Sequence, residues 1–353
     1  MAAAVCLSIL VLLCAAPSAM AKDYYVALGA SLAEGIGASS PAKDYVSLIY
    51  GHEAPRYPSL SLKSFACGGT TTLAFIHGPG CGPGTQLGKA EAFLTGHRGK
   101  IAFVTIDIGA NEMIPCIDEG AVNSACAEGA LGEDSVNLPI IIGGLQATSP
   151  GVRIFAMNYY DPYLSDGEKG EPGLALAGET LAVVDRLNSE LEAIYAAYGV
   201  PVADTAGAFE SHNFSLTGSF LGATLPQNIA NICNWTHMCP ERNVHTNDTG
   251  HALLAATFEP VIDASFEAPL GIGTTTLPPA TVGQSYSAPL EASGGLPPLK
   301  WSHAGRLAPG LKLDAKAGMI SGKPTKVGSY AFEVGVAGQT GHGAARKLTI
   351  TVG

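Results

Sequence analysis

The sequence predicts a three-layer α/β/α sandwich with a parallel sheet, followed by a small all-β sandwich. Strand-like apolar runs alternate with helical periodicity over most of the chain. The run Lys100–Ile108 is almost continuously apolar, as in strands that are buried on both faces of a parallel sheet. Near residue 268 the helical periodicity stops and short alternating strands begin. These observations predict two domains of different fold class.

The elements follow in order along the chain. Tyr24–Leu28 is a short apolar run that predicts the first strand. A helix follows within Asp44–His52, where apolar residues share a face. The remaining elements of the first domain are strands at Leu60–Ala66, Lys100–Ile108, Ile154–Tyr160 and Val202–Ala206, and helices over Leu181–Tyr198 and Gly250–Phe258.

Composition and charge restrict the class of protein. The 353 residues include 44 glycines and 23 prolines, but the apolar content of 47% excludes a disordered chain. Residues 1–268 carry eleven Lys/Arg and twenty-seven Asp/Glu, a net charge of −16, whereas residues 269–353 carry eight and three, a net charge of +5. The acidic first part argues against a nucleic-acid partner.

The amino terminus has the pattern of a secretory signal peptide. Residues 1–21 contain the apolar run Leu7–Leu13 and end with Ala19-Met20-Ala21. The competing interpretation, a transmembrane anchor, is disfavoured because the run is shorter than the ~20 residues of a span. We therefore expect a secreted protein without a membrane span. The expected divisions are the signal peptide at 1–21, the first domain at 22–268, a linker at 269–273 and the β domain at 274–353.

Six cysteines remain after removal of the signal peptide. They form three close pairs along the chain, which favours sequential disulfides across short loops, although fifteen connectivities are open. A zinc site is disfavoured because no Cys-x-x-Cys or His-x-x-x-His spacing occurs. The favoured pairs are Cys67–Cys81, Cys116–Cys126 and Cys233–Cys239.

Four polar motifs follow strand-like runs or precede a helix. Gly29-Ala30-Ser31 ends the first strand, and Cys67-Gly68-Gly69-Thr70 and Gly109-Ala110-Asn111-Glu112 each follow a later one. Val244–His251 precedes an apolar helix. The carboxyl ends of parallel strands are where open α/β sheets place their ligands. In this order and spacing, the four motifs resemble those of the SGNH (GDSL-type) hydrolase family.

The resemblance implies a role for each motif. Ser31 would be the nucleophile and His245 the general base. The oxyanion would be bound by the backbone amides of Ser31 and Gly69 and by the side-chain amide of Asn111. The resemblance also implies a flavodoxin-like fold and the sequential disulfides of secreted family members, and it implies no cofactor and no metal.

Three positions depart from the family pattern, each at a carboxylate. Ala30 and Glu112 each replace an aspartate, and Arg242 stands where the family has the aspartate that orients the histidine. Three replacements for that last aspartate are open, namely a backbone carbonyl near Arg242, the side chain of Glu241, or Asp248. His251 is expected to be structural.

The expected activity is hydrolysis of carboxylic esters through an acyl-enzyme, as in an esterase, lipase or phospholipase. The alternatives are a carbohydrate deacetylase, or a surface-binding protein whose hydrolase domain is degenerate. A small-molecule or lipid ester is the expected partner, and the oligomeric state is left open.

The carboxyl-terminal motifs resemble a bacterial Ig-like module. They are Ala308–Asp314, Gly318–Thr325 and Gly328–Phe332, and Trp301 is expected to fill the core of this module. The resemblance implies a spacer, or, because of the positive charge, a contact with cell-surface or polysaccharide material.

Overall fold

The structure, a computed structural model, describes residues 23–118, 121–267, 270–295, 298–338 and 343–353. The predicted signal peptide at 1–21 lies outside these residues, as does the start of the predicted linker. None of the described helices combines the length and apolarity that a membrane span needs.

Up to residue 267, strands and helices alternate. The strands are β1 (Asp23–Gly29), β2 (Leu60–Ser64), β3 (Ile101–Asp107), β4 (Ile117–Asp118), β5 (Ala121–Val122), β6 (Ile154–Met157), β7 (Val202–Ala203), β8 (Gly218–Phe220), β9 (Ala223–Leu225), β10 (Thr236–His237) and β11 (Asn243–Thr246). The α-helices are α1 (Ser31–Glu34), α2 (Tyr45–Glu53), α3 (Thr72–His77), α4 (Gln86–Gly96), α5 (Ser124–Thr148), α6 (Glu171–Ala197), α7 (Thr205–Ala208), α8 (Gln227–Trp235), α9 (Met238–Glu241) and α10 (Asp248–Glu267). Ile114–Cys116 and Pro162–Lys169 are 3₁₀ segments.

The central sheet has five parallel strands in the order β2-β1-β3-β6-β7. Helix α2 packs against α10, while α5 packs against α3, α4 and α6, so that helices flank the sheet. The rings of Tyr25 and Phe103 stack across β1 and β3 with centroids 4.4 Å apart. This arrangement confirms the predicted three-layer α/β/α class.

The carboxyl ends of β1 and β3 meet at one edge of the sheet, because Gly29 is in register with Asp107. Since Ser31 follows β1 and Asn111 follows β3, the sheet itself brings these two residues to the same edge. This placement agrees with the general position of ligand sites in open α/β sheets.

Several elements differ from the sequence prediction, which also lacks helices α3, α4 and α8. Helix α5 spans 25 residues and was not predicted, because its glycines and Pro139 obscure the apolar periodicity. The predicted strand Val202–Ala206 is only two residues long, because Asp204 accepts a hydrogen bond from the Gly207 amide and begins helix α7.

The carboxyl-terminal part is an antiparallel β structure. Its strands are β12 (Gly271–Ile272), β13 (Tyr286–Pro289), β14 (Ala292–Ser293), β15 (Lys300–Gly305), β16 (Leu311–Asp314), β17 (Met319–Gly322), β18 (Gly328–Ala337) and β19 (Gly343–Val352). Two three-stranded sheets, β13-β17-β16 and β15-β18-β19, enclose a core that contains Trp301, Ile320 and Val334. This agrees with the predicted small all-β sandwich.

The two parts of the chain touch at the amino ends of the sheet strands. Arg153 directly precedes β6, and its guanidinium donates to the carbonyls of Gly294 and Gly295 at 2.6 and 2.7 Å. The same guanidinium lies 4.6 Å from the centre of the Phe266 ring. The β sandwich therefore contacts the opposite end of the sheet from Ser31.

Candidate active site

The turn that carries Ser31 is fixed from two sides. Gly29 has a φ of 130°, and a Cβ there would lie 1.8 Å from the Asp107 carboxylate, so glycine is required. The Gln86 side chain accepts from the Gly29 amide at 2.7 Å and donates to the Gly29 carbonyl at 3.0 Å. Ser31 then begins α1, where its hydroxyl lines a cleft.

Asp107 lies beneath this turn as a buried carboxyl group. Its Oδ1 accepts from the Ala30 amide at 2.6 Å, and its Oδ2 accepts from the Tyr45 hydroxyl at 3.2 Å. Burial raises the pKa of Asp107 to about 7, while these two donors oppose the rise. Asp107 therefore connects the turn before Ser31 to helix α2.

The two loops with predicted oxyanion donors are joined to each other. The Asn111 amide donates to the Thr70 carbonyl at 2.8 Å, which uses one of its two N–H groups. Gly69, with a φ of 72°, lies in the same loop as Thr70 and is exposed. Asn111 lines the cleft together with Ser31, whereas Gly69 lies on the adjoining loop outside the cleft wall.

A pair of acidic side chains supports these loops from behind. Glu112 accepts from the Thr72 amide, and Asp134 accepts from the Thr72 hydroxyl at 3.2 Å. Burial and the neighbouring Glu112 raise the pKa of Asp134 to about 9. The raised pKa favours the protonated form of Asp134, and Glu112 bonds the backbone at the start of α3.

His245 lies on β11 and is oriented by Asn243. The Nδ1 atom of His245 is 2.5 Å from Asn243 Oδ1, and the His245 backbone amide donates to the same atom at 3.1 Å. A backbone N–H can only donate, so the shared atom is the amide oxygen and His245 Nδ1 carries the proton. The other ring nitrogen, Nε2, is then free to accept a proton.

The surroundings of His245 favour its neutral form. Burial lowers its pKa, and His251 and His237 lower it further. The Tyr160 hydroxyl donates to the Val244 carbonyl at 2.7 Å and holds the strand. His251 itself accepts from the Tyr45 amide at 3.3 Å and lies 3.2 Å from the Ile36 carbonyl, so its contacts are with backbone groups.

The three groups expected to orient His245 lie elsewhere. Glu241 lies 3.5 Å from His237, and Asp248 accepts from the Ser39 amide at 2.7 Å and from Lys43. Arg242 ends α9 with a φ of 55°, and its guanidinium bonds Asp166 at 2.9 Å. Among the described residues, none of the three expected groups hydrogen bonds to His245 Nδ1.

The cleft at this edge of the sheet encloses about 80 Å³. Ser31, Asn111 and His245 all line it. The remaining wall is mainly apolar or aromatic, and it includes Leu32, Met113, Ile114, Ile117, Tyr159, Tyr160, Pro162, Tyr163, Val184, Leu187 and Val244. A serine, a histidine and an asparagine therefore share one mainly apolar cleft.

The sequence profile of the "GDSL-like Lipase/Acylhydrolase family" matches residues 27–253, which include all four motifs. The chain belongs to this family. A second profile, "Putative Ig domain", matches residues 268–353. The resemblance to both groups is thus confirmed, and with it the general assignment to ester hydrolases.

Solved structures give more distant similarities. Phospholipase A1 from Streptomyces albidoflavus NA297 is 19% identical, with 69% of this chain and 99% of that chain covered and a TM-score of 0.45. The extracellular lipase from Streptomyces rimosus is 20% identical, with coverage of 69% and 99% and a TM-score of 0.44. A putative alpha-galactosidase from Bacteroides fragilis NCTC 9343 is 27% identical over 25% of this chain and 18% of that chain, with a TM-score of 0.23. The chain thus spans less than a fifth of that protein's length. No protein of curated function matches the chain by sequence.

Compared with the GDSL-like pattern, the site has its carboxylates in different places. Ala30 lacks the family's carboxylate, but Asp107 brings one to the Ala30 amide from β3. Asn243, which is not among the predicted site residues, contacts the histidine ring. Its position two residues before His245 is a signal that could have identified it, because an Asx side chain commonly bonds the backbone two residues later.

Proposed function

We propose that this GDSL-like protein hydrolyses carboxylic esters through an acyl-enzyme on Ser31, with His245 as the general base. The observation that carries the proposal is the shared cleft, in which Ser31, Asn111 and a correctly protonated His245 face the same space. Family membership supports ester hydrolysis in general. Beyond this general activity, we propose that Ser31 is the nucleophile, that His245 is the base, and that Ser31, Gly69 and Asn111 bind the oxyanion.

In the first half of the reaction, Ser31 Oγ attacks the ester carbonyl carbon and its proton passes to His245 Nε2. The oxyanion that forms accepts hydrogen bonds from the amides of Ser31 and Gly69 and from Asn111 Nδ2. The intermediate then collapses, and His245 returns the proton to the departing alcohol. In the second half, His245 takes a proton from water as the water oxygen attacks the acyl carbon. The second intermediate then collapses, the bond to Ser31 Oγ breaks, His245 returns the proton to Ser31, and the acid is released.

Asn243 completes this arrangement as a neutral third member. Its oxygen holds the Nδ1 proton and so fixes the tautomer that leaves Nε2 basic. An amide stabilises the imidazolium by its dipole alone, whereas a carboxylate would add a full charge. The site is therefore proposed to be a Ser–His–Asn triad.

The proposed substrates are esters with aliphatic acyl groups. Most of the residues that line the cleft are Leu, Ile, Val, Met, Ala, Pro or Tyr, which match a hydrocarbon chain better than a hydroxyl-rich sugar. This composition favours an esterase or lipase over a carbohydrate deacetylase. The proposal includes secretion, with a leader at 1–21, the hydrolase domain at 22–268, a linker at 269–273 and the Ig-like domain at 274–353.

The test is hydrolysis of p-nitrophenyl esters from acetyl to palmitoyl by the mature protein, Ser31→Ala and a matched control. Ser189→Ala is a suitable control because its hydroxyl is exposed and bonds only a carbonyl of its own helix. We expect turnover in wild type and control and its loss in Ser31→Ala. Equal rates of hydrolysis in wild type and Ser31→Ala would contradict the assignment. No hydrolysis by any of the three proteins would also contradict it and would favour an inert hydrolase domain.

A further inference from the structure

A second cluster of polar side chains joins helices α2 and α10, away from the cleft. His52 and Glu53 end α2, and Asp263 lies in the second half of α10. His52 Nε2 is 3.3 Å from Asp263 Oδ2 and 3.9 Å from Glu53 Oε1. These three atoms lie close enough together to bind one ion.

Glu53 is unusual because it is a fully buried carboxylate with one oxygen unsatisfied. Its Oε2 accepts from Arg56 at 2.7 Å, but its Oε1 has no hydrogen-bond partner among the residues that the structure describes. A buried carboxylate oxygen without a donor is costly. Glu53 Oε1 is directed towards His52, so the missing partner would have to lie between these two side chains.

Arg56 contacts one oxygen of each carboxylate, which we call the outer oxygen, and does not contact the other, inner oxygen. It bonds Glu53 Oε2 and Asp263 Oδ1, while Glu53 Oε1 and Asp263 Oδ2 both lie towards His52. Arg56 therefore orients the carboxylates without filling the space between them. Groups that orient ligands in this way are typical of the outer shell of a metal site.

His52 is oriented in the same manner. Its Nδ1 lies 3.5 Å from Glu259 Oε2, which directs Nε2 at the two inner oxygens. A histidine that gives its Nδ1 proton to a carboxylate presents a lone pair at Nε2. A proton on His52 Nε2 would satisfy the 3.3 Å contact with Asp263 Oδ2 but would leave Glu53 Oε1 without a donor, whereas a cation between the side chains would satisfy all three atoms.

We propose that His52 Nε2, Glu53 Oε1 and Asp263 Oδ2 bind a divalent cation of the zinc class. A tetrahedral zinc ion with bonds of about 2.0–2.2 Å separates its ligand atoms by roughly 3.3–3.6 Å. The observed separations of 3.3 and 3.9 Å are close to this range. Calcium is disfavoured because it takes about 6–8 oxygen ligands. Water would supply the fourth ligand.

The expected role is structural. The cation would tie the end of α2 to α10, and these helices carry contacts of the active site at their other ends. Tyr45, at the start of α2, bonds Asp107, and α10 begins directly after the segment that carries His245. No ligand spacing in the sequence predicts this site, because its ligands come from helices about 210 residues apart.

The test is zinc binding by tag-free mature protein, measured by titration calorimetry and by the melting temperature. We expect one zinc per chain and a melting temperature that rises with zinc. We expect binding to weaken at least tenfold in Glu53→Gln and in His52→Ala. The control His212→Ala removes an exposed histidine that lies 3.1 Å from Asp185 but lacks a third ligand, so it should bind as wild type does.

Further variants separate this site from the active site. His245→Ala should retain the zinc, whereas Glu259→Gln should weaken its binding about 10–100-fold through loss of orientation. Glu53→Gln keeps the shape of the side chain, so it remains informative if His52→Ala does not fold. Binding that is unchanged in Glu53→Gln, binding that is lost in His245→Ala, or no binding below millimolar zinc would overturn the proposal.

Discussion

Replacing Asn243 by aspartate would put a carboxylate 2.5 Å from His245 Nδ1 without changing the shape of the side chain. In the wild type this contact is neutral, and burial together with two neighbouring histidines holds the pKa of His245 below its ordinary value. The substitution therefore measures how much less an amide at this position stabilises the imidazolium than a carboxylate does. Two quantities should change, the pKa of the base and the stability of the imidazolium.

A carboxylate this close to a histidine raises its pKa by about 1–3 units. His245 is half-buried, so solvent screening should limit the rise to about 1–2 units, or roughly 1.4–2.7 kcal/mol. A charge-assisted hydrogen bond is also about twice as strong as a neutral one of about 1 kcal/mol. If about 1 kcal/mol of this stabilisation of the imidazolium is retained in the transition state, kcat above the new pKa should be about fivefold higher.

The assay is the pH dependence of kcat/KM for a p-nitrophenyl ester between pH 4 and 9. The acid limb reports protonation of the free base, so it should move to higher pH by about 1–2 units in Asn243→Asp. Gln284→Glu, which adds the same charge at an exposed position of the Ig-like domain, should leave the limb unchanged. An acid limb that moves by less than roughly 0.3 units would refute the contact between Asn243 and His245 as the orienting one.

Four other predictions test the site and its support. Asn111→Ala should lower kcat about 10²–10³-fold with little change in KM, because one oxyanion donor is lost, and an unchanged kcat would remove Asn111 from the oxyanion hole. Val184→Phe narrows the apolar cleft and should lower kcat/KM for decanoate esters more than for acetate; a parallel loss for both would contradict the acyl site. Gly29→Ala should abolish soluble, active protein because its Cβ would overlap the aspartate on β3, whereas Gly51→Ala, where a Cβ meets nothing within 4 Å, should be tolerated. Asp134 binds a proton in the folded state up to about pH 9 but loses it above about pH 4 when unfolded, so stability should fall as pH rises through this window, by up to ~1.4 kcal/mol per pH unit. Urea unfolding at pH 5 and pH 9 should therefore show a smaller difference in Asp134→Asn than in wild type, and equal differences would contradict the raised pKa.

The sequence predicts the strands of the central sheet and the motifs at their ends, because short runs of residues determine both. Apolar runs such as Lys100–Ile108 identify buried parallel strands, because only a strand covered on both faces is continuously apolar. The order of motifs at strand ends then places Ser31 and Asn111 at one edge of the sheet. Helix α5 was not predicted, because its burial against neighbouring helices outweighs its poor local helix pattern.

The groups that support the site are harder to predict, because they act across the fold. Asp107 bonds the turn before Ser31 from a neighbouring strand, and Gln86 bonds Gly29 from helix α4. Such contacts depend on the register of β1 and β3, which no local pattern encodes. Asn243 is the exception, since its contact with His245 spans only two residues. An amide oxygen fixes a histidine tautomer as a carboxylate does, so the pattern Asn243-x-His245 carries this information locally.

The three disulfides lie in the loops around the cleft. Cys67–Cys81 closes the loop that contains Gly69, Cys116–Cys126 lies next to the cleft residue Ile117, and Cys233–Cys239 shortly precedes His245. Their bridged residues are only 14, 10 and 6 positions apart, so no bridge ties one strand of the central sheet to another. The oxidation state of these cysteines should therefore affect the loops around the cleft more than the central sheet. A chain folded under reducing conditions should form the sheet but hold its catalytic groups loosely, and later oxidation should restore activity without refolding of the sheet.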